Sequence, residues 1–386
     1  MTFYLNALGI VNPLGCGKEA VAANLFAGSQ AGLKQNDSYI PDQTVYVGEV
    51  DGVLPTIPKH LEEHNSRNNQ LALAALSEIN EDVSALIAKY GADRIAVVVG
   101  TSTSGIGDNE AGIAAKVNDG NFPDDYDYQR QTVSDLSKFI QKYLDLSGPA
   151  MTVSTACTSG AKAVASAARW IEAGICDAAI VGGVDSLCGL TLNGFNALDS
   201  LSKGKCQPFS KNRDGINIGE GAALFILSRD VGPVEFCGYG ETSDAYHISA
   251  PAPDGDGALK AMVLAKGDAE VAYVNLHGTA TQLNDAMEAK TVNTLLGTDV
   301  PCSSTKALTG HMLGAAGSNE LGFLWLSLQH NKLPPHVWDA VEDEENPRVR
   351  FAKQGEEFDP ADKVLLSNSF AFGGNNICLA LKKGEG

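Results

Sequence analysis

Three stretches in the second half of this chain echo three in the first half, in the same order. IAVVVGTSTSG (95–105) returns as VAYVNLHGTATQ (271–282), MTVSTACTSGA (151–161) as VPCSSTKALTGHMLGAAG (300–317), and DAAIVGGVDS (177–186) as KVLLSNSFAFGGNN (363–376). Each reads as a buried strand ending in a Gly- or Thr-rich turn, and the middle pair opens a helix of small residues. A single likeness between Gly-rich turns is weak. Three in register imply an internal duplication. The seam falls near Val231–Glu235, which divides the chain into residues 1–232 and 233–386. Two copies of alternating strands and helices predict an α/β fold of layered sheets, with helices between and outside them.

The remaining elements follow from periodicity. Phe3–Val11 reads as a first strand and Ala20–Ala27 as a short helix, followed by a polar loop to Val50. Apolar residues from Leu71 to Ile87 recur at helical spacing, which predicts one helix over Asn68–Tyr90. Glu110–Tyr128 is polar and acidic, as in a surface excursion, and Thr132–Leu146 reads as a helix. Gly221–Ser228 is strand-like.

Composition narrows the partners. The formal net charge is −19 over 386 residues, which argues against nucleic acid or an anionic membrane as the main partner. The eight cysteines have no metal-ligand spacing and no paired framework, so reduced thiols, no metal and a cytoplasmic location are expected. The N-terminal MTFYLNALGIVNPLG has no basic n-region or cleavage site, and no apolar run is long enough to span a bilayer.

Chemistry concentrates at the duplicated turns. Cys157 stands on a strand-to-helix turn, before a helix carrying Gly160, Ala161, Ala163, Ala165, Ala167 and Ala168. Unpaired N–H groups at such a mouth favour negative charge and lower a thiol pKa from about 8.5. A lone cysteine is more often structural, but the turn favours a nucleophile. His311 holds the equivalent turn in the second half. It is expected to open the helix that carries Ala315, Ala316 and Gly317, where a helix N-terminus lowers an imidazole pKa. His277 follows the strand Tyr273–Leu276, at the carboxyl end where α/β sheets place ligands. Lys306 lies in a largely uncharged stretch; if buried it needs a partner, and Glu320 is the candidate. The glycines of Asn368–Gly374 let backbone N–H groups approach a ligand, and the N–H groups of Phe372 and Cys157 are candidates for an oxyanion hole.

Together these residues resemble the β-ketoacyl-acyl-carrier-protein synthases of the thiolase superfamily. The matching motifs are TACTSGA around Cys157, HGTATQLND at 277–285, KALTGHMLGAAG at 306–317, NSFAFGGNN at 368–376, ETSDAYHISAP at 241–251 and NRDGINIGEGAA at 212–223. The resemblance implies a thiolase fold, with duplicated βαβαβ halves forming a layered α-β-α-β-α sandwich. It also implies an elongating Cys–His–His enzyme, in fatty-acid, polyketide or aryl-polyene synthesis. Cys157 would take an acyl chain from an acyl carrier protein. His277 and His311 would stabilise the enolate formed as malonyl-carrier protein loses carbon dioxide. Lys306 and Glu320 would fix the histidines electrostatically, Thr279 and Thr281 would bind the pantetheine arm, and Phe370 and Phe372 would gate the acyl tunnel. No cofactor is implied beyond the phosphopantetheine on the carrier protein. The partner subunit would be a second copy or a chain-length-factor-like ketosynthase. Three departures stand out: Ala371 where the family commonly has Gly, an Asp199–Arg213 loop shorter than usual, and a polar YDYQRQTVSDLS segment near the expected tunnel end.

Two other readings remain. A thiolase acting on coenzyme A thioesters needs a second cysteine near the C-terminal Gly-rich turn, and only Cys378 lies near it. A non-catalytic tunnel-shaping subunit would lack the nucleophile. For carrier-protein docking the candidates are Lys203 and Lys205, in a loop without acidic residues from Leu201 to Arg213, with Arg67 next.

Overall fold

Ile95–Gly100 and Ala178–Asp185 are buried at every residue, because their sheet is covered on both faces. The computed structural model describes residues 2–385. Its main sheet has an internal symmetry. From the middle outward in one direction the strands are Phe3–Asn12, Gly221–Ser228, Ala178–Asp185, Ile95–Gly100 and Ala150–Val153. In the other direction they are Val234–Ser243, Asn375–Lys383, Lys363–Ala371, Glu270–Asn275 and Pro301–Ser303, with Arg350–Phe351 added at that edge. In both directions the first three are antiparallel neighbours and the last two pairings are parallel. The three sequence echoes occupy matching places in the two runs.

Among the described residues the two runs pair at three positions, Phe3–Phe236, Tyr4–Glu235 and Leu5–Val234. Beyond that contact helices Ser159–Glu172 and Ala316–His330 lie between them, packed on each other and on strands of both runs. One apolar cluster fills this middle layer, including Ala163, Ala167, Phe225, Phe323, Leu324 and Leu379. A second lies under helices Arg67–Ser77 and Asp135–Tyr143, and a third under Asp256–Lys266. The architecture is the layered one expected from the duplication, and it agrees with the thiolase-type sandwich that the resemblance implies.

Some local expectations change. Asn68–Tyr90 is two helices, Arg67–Ser77 and Asn80–Tyr90. Glu78 turns inward at the break, and its carboxylate accepts the N–H groups of Ile10 and Lys18, both at 3.0 Å. The stretch before Val50 carries strands Leu33–Asn36 and Val45–Gly48, the latter paired with Ile218–Gly219. The acidic excursion contains helix Ile106–Asp119, and the next helix is shorter than expected, Asp135–Tyr143.

Close packing makes one central position intolerant of a side chain. A Cβ at Gly9, in the strand Phe3–Asn12, would fall 1.9 Å from the carbonyl oxygen of Ala75 on the covering helix. Gly9→Ala is expected to destabilise the fold by about 3 kcal/mol through overpacking. Urea unfolding with a normal m-value checks it, and a loss under about 0.5 kcal/mol would mean the helix yields freely.

Candidate active site

Three residues in left-handed backbone conformation flank the three chemical groups. Ala156 has φ 53°, Ala280 φ 64° and Leu313 φ 49°. None is a glycine, so each conformation is imposed by its surroundings. At the first turn, Thr158 Oγ1 donates to the Thr155 carbonyl at 2.7 Å. Ser159 Oγ donates to the Ala156 carbonyl at 2.5 Å and accepts the Thr155 N–H at 2.9 Å. This elbow presents Cys157 two residues before the helix Ser159–Glu172.

His311 does not open a helix as expected. Its N–H donates to the Asn217 carbonyl at 2.7 Å and its carbonyl accepts the Gly219 N–H at 2.9 Å. The helix begins only at Ala316, after a short 3-10 turn. Met312 and the 3-10 turn Leu313–Ala315 therefore separate His311 from the start of that helix. His277 is held from behind: its N–H and that of Gly278 donate to the two oxygens of Glu288, at 2.8 and 2.7 Å. Asn368 Nδ2 adds a third donor to Glu288 at 3.0 Å.

The side chains converge. His311 Nε2 lies 2.9 Å from Cys157 Sγ. The two imidazole rings are 5.4 Å apart and nearly perpendicular. Ring nitrogens of both histidines and the thiol sulfur fall within 4.8 Å of one another. The thiol–imidazole distance is that of a direct hydrogen bond, shorter than the roughly 3.5 Å that tetrahedral zinc bond lengths would set between two ligands. Lys306 and Glu320 form a buried ion pair, and Lys306 Nζ also donates to the His277 carbonyl at 2.5 Å.

Burial dominates the electrostatics. It pushes the Cys157 thiol up to about 12, against a lowering from Lys306. The expectation of a thiol acidified at a helix mouth is therefore corrected: desolvation of the thiolate outweighs the lowering by Lys306 and by a backbone hydrogen bond. Both imidazoles are held well below their ordinary value, by burial first and then by Lys306. For His311 the direction matches expectation and the cause differs. Burial raises the carboxyls of Glu320 and Glu288 to about 7 each. At neutral pH the converging groups are a thiol and two uncharged imidazoles, with the charges one layer behind.

These groups open into a cavity of about 630 Å³, lined also by Phe195, Thr279, Thr281, Phe370 and Phe372. The hydroxyls of Thr279 and Thr281 stand 3.1 Å apart. Phe370 is buried against the His277 ring. Phe372 is 39% exposed and leans on Phe195 at 5.6 Å between centroids. Cys157 is the one cysteine lining this cavity. Cys378 is buried in the outer core of the second half, which removes the second thiol that a thiolase would need.

The cationic candidates part company. Lys203 is exposed and its ammonium has no partner among the described residues. Lys205 Nζ donates to the Gln30 carbonyl at 3.1 Å. Arg67 is committed to the fully buried Glu220 through Nε at 2.8 Å and Nη2 at 2.5 Å. The loop free of acids in sequence is not free of them in space. Asn212 binds Asp339, and Arg213 is buried against Asp343 at 2.6 Å. Sequence reasoning also passed over Glu288 and Asp185, whose carboxylates bind backbone N–H groups; their only signal was an acidic residue in an apolar setting.

The chain matches the family models "Beta-ketoacyl synthase, N-terminal domain" over residues 7–231 and "Beta-ketoacyl synthase, C-terminal domain" over 234–338. A 3-oxoacyl-[acyl-carrier-protein] synthase 2 of Staphylococcus aureus (strain COL) is 32% identical over 357 residues, 85% of this chain and 86% of its own. Among solved structures, the complex of ketosynthase ApeO with its chain length factor ApeC from Xenorhabdus doucetiae contains a chain 43% identical, with a TM-score of 0.94 over 99% of this chain and 98% of that one. The ishigamide ketosynthase/chain length factor is 26% identical, with a TM-score of 0.88 over the same shares. A chain length factor is part of both solved assemblies.

Glu288 gives a pH test. Its folded pKa, about 7, lies above the unfolded value near ~4.5. The folded state therefore holds the proton more tightly, and the stability this contributes is lost as pH rises from about 4.5 through 7. Glu288→Gln removes that dependence. Its stability deficit against the parent is expected to be larger at pH 5 than at pH 8, by on the order of 2 kcal/mol. Urea unfolding at both pH values measures it; an equal deficit would mean the carboxyl is not raised.

Proposed function

The chain belongs to the β-ketoacyl synthase family, and from that premise we propose how its own residues carry out a decarboxylative condensation. The enzyme is an acyltransferase of the elongating type. The observation that carries the residue assignment is the 2.9 Å contact between Cys157 Sγ and His311 Nε2, with the uncharged His277 ring beside it in one cavity.

In the first half-reaction Sγ attacks the thioester carbonyl of an acyl chain borne on a carrier protein. The thiol proton passes to His311 Nε2 as the bond forms, since a thiol held near 12 supplies little free thiolate. The N–H groups of Cys157 and Phe372 receive the oxyanion. The pantetheine sulfur leaves and takes the proton back from His311, which leaves acyl-Cys157 and a neutral ring. In the second half-reaction malonyl-carrier protein enters, its pantetheine arm lying against Thr279 and Thr281. His277 and His311 then face the thioester oxygen. The electrons of the breaking carbon–carbon bond form the enolate as carbon dioxide leaves. The enolate carbon attacks the acyl-Cys157 carbonyl, and Sγ departs as a thiolate and takes up one proton from solvent, the proton that the overall condensation consumes. Uncharged imidazoles suit this step, because they donate hydrogen bonds without binding the carboxylate so tightly that its loss is opposed. Lys306 and Glu320 hold the His277 turn, and Phe370 and Phe372 divide acyl tunnel from malonyl pocket, with Ala371 stiffening the turn between them.

On this reading residues 1–232 supply the nucleophile and 233–386 both histidines. The protein works in the cytoplasm and needs no cofactor besides the carrier's arm. No helix among the described residues is long and apolar enough to cross a membrane. The likeness to chains from two ketosynthase/chain-length-factor assemblies supports a heterodimer with such a partner over a homodimer.

Half-reactions separate the roles. Cys157→Ser is expected to abolish acyl transfer. His277→Ala should keep acyl transfer within about tenfold of the parent while carbon dioxide release from malonyl-carrier protein falls at least about 100-fold. His311→Ala should slow both. Mass detection of acylated protein and labelled carbon dioxide release measure these, and undiminished decarboxylation in both histidine variants would overturn the assignment.

Docking rests on Lys203 before Lys205 and Arg67, whose cationic groups are already engaged. Lys203→Glu is expected to raise KM for acyl-carrier protein several-fold while leaving small pantetheine thioesters unaffected. The defect should shrink at high salt. Equal loss with both substrates would exclude a docking role.

A further inference from the structure

Asp185 ends the strand Ala178–Asp185 and is completely buried. No cation pairs with it among the described residues. Its carboxylate is held by donors from two places. Thr101 Oγ1 donates at 2.7 Å, the N–H of Ser102 at 2.8 Å, and the N–H and hydroxyl of Thr103 at 2.9 and 2.8 Å. The fifth donor is the N–H of Gly314 at 2.6 Å, from the opposite half of the duplicated chain.

Each donor group leads to a reacting residue. Ser102 Oγ reaches the carbonyl of Ala156, the residue before Cys157, at 3.4 Å. Gly314 lies three residues past His311. The fit around it is tight: a Cβ there would stand 2.7 Å from Ser102 Oγ and 2.8 Å from Asp185 Oδ2, and a Cβ at Gly160 would stand 2.9 Å from the Gly314 carbonyl oxygen. We propose that Asp185 is a positioning residue for the condensation, its carboxylate pinning the nucleophile's neighbouring turn and the His311 turn to one strand end and so setting the thiol–imidazole contact. It touches neither reacting atom. Its charge is also felt at Sγ, where it opposes thiolate formation, as Glu320 does, while Lys306 favours it; the His277 and His311 rings complete the titratable groups around the sulfur.

The proposal rests on the reaction assigned above, so its test needs one arm that does not. That arm is alkylation of Cys157 by iodoacetamide as a function of pH. Asp185→Asn removes the charge and turns one acceptor into a donor. The alkylation midpoint is expected to fall by about one pH unit, and acyl transfer to fall at least about tenfold. Asp185→Glu restores the charge with a longer arm. It should return the midpoint to the parent's value while transfer stays low. Unchanged midpoint and transfer in Asp185→Asn would overturn the proposal, and so would lost transfer with an unmoved midpoint and a lowered Tm, the signature of a plain structural residue. Should Asp185→Asn not fold, Thr103→Val decides: transfer lowered at least about threefold at unchanged Tm and midpoint supports the proposal, and parental transfer overturns it. If the parent itself accepts no acyl group from any carrier protein, the functional reading fails while the alkylation arm still reports on Asp185.

Discussion

The close approach of two helices, at their small-residue first turns, between the two runs of the main sheet is the constraint on which the rest depends. A Cβ added at Gly160 or at Gly183 would lie 2.9 or 3.0 Å from the carbonyl oxygen of Gly314. That closeness brings the turn before one helix against the turn before the other. Cys157 and His311 come from sites 154 residues apart, yet they meet at hydrogen-bond distance because nothing bulkier than a methyl group or a serine hydroxyl holds the two helices apart there.

Such packing leaves little water, and dehydration sets the chemistry. A thiolate is disfavoured and so is an imidazolium. Low dielectric makes each hydrogen bond to a developing negative charge stronger than it would be in water. The buried carboxylates serve the backbone. Glu288 collects N–H groups at the His277 turn and Asp185 collects them at two others. Glu320 neutralises the buried ammonium of Lys306. Fixed charge is thereby kept off the reacting atoms.

What could be read from the sequence was whatever carries a pattern. The three echoes were legible because Gly, Ala and Thr recur at turns that must be tight, and those echoes pointed to the layered α/β architecture and to the turns that carry Cys157, His277 and His311. The ion pair Lys306–Glu320 was legible because a lysine in an apolar stretch demands a partner. Facts that depend on distant chain were hidden. Nothing local says that Glu78 turns inward to cap Ile10 and Lys18 and so breaks a helix, or that Asp339 and Asp343 fold over a loop that looked purely cationic. Arg67 looked like a free surface charge, and its partner Glu220 is 153 residues away. The thiol's acidity was misjudged for a related reason: a helix mouth is visible in sequence, whereas depth of burial is not.

Ala156, Ala280 and Leu313 occupy backbone conformations that glycine would adopt at no steric cost. Each holds on the order of 1 kcal/mol of strain, and the chain carries it within three residues of Cys157, His277 and His311. A glycine at any of them would relax the fold and widen the range of directions its neighbour can take. Tension in the resting protein and aim in the reacting one are thus the same quantity, and a search for more heat-resistant variants that began at these three turns would be selecting against the reaction.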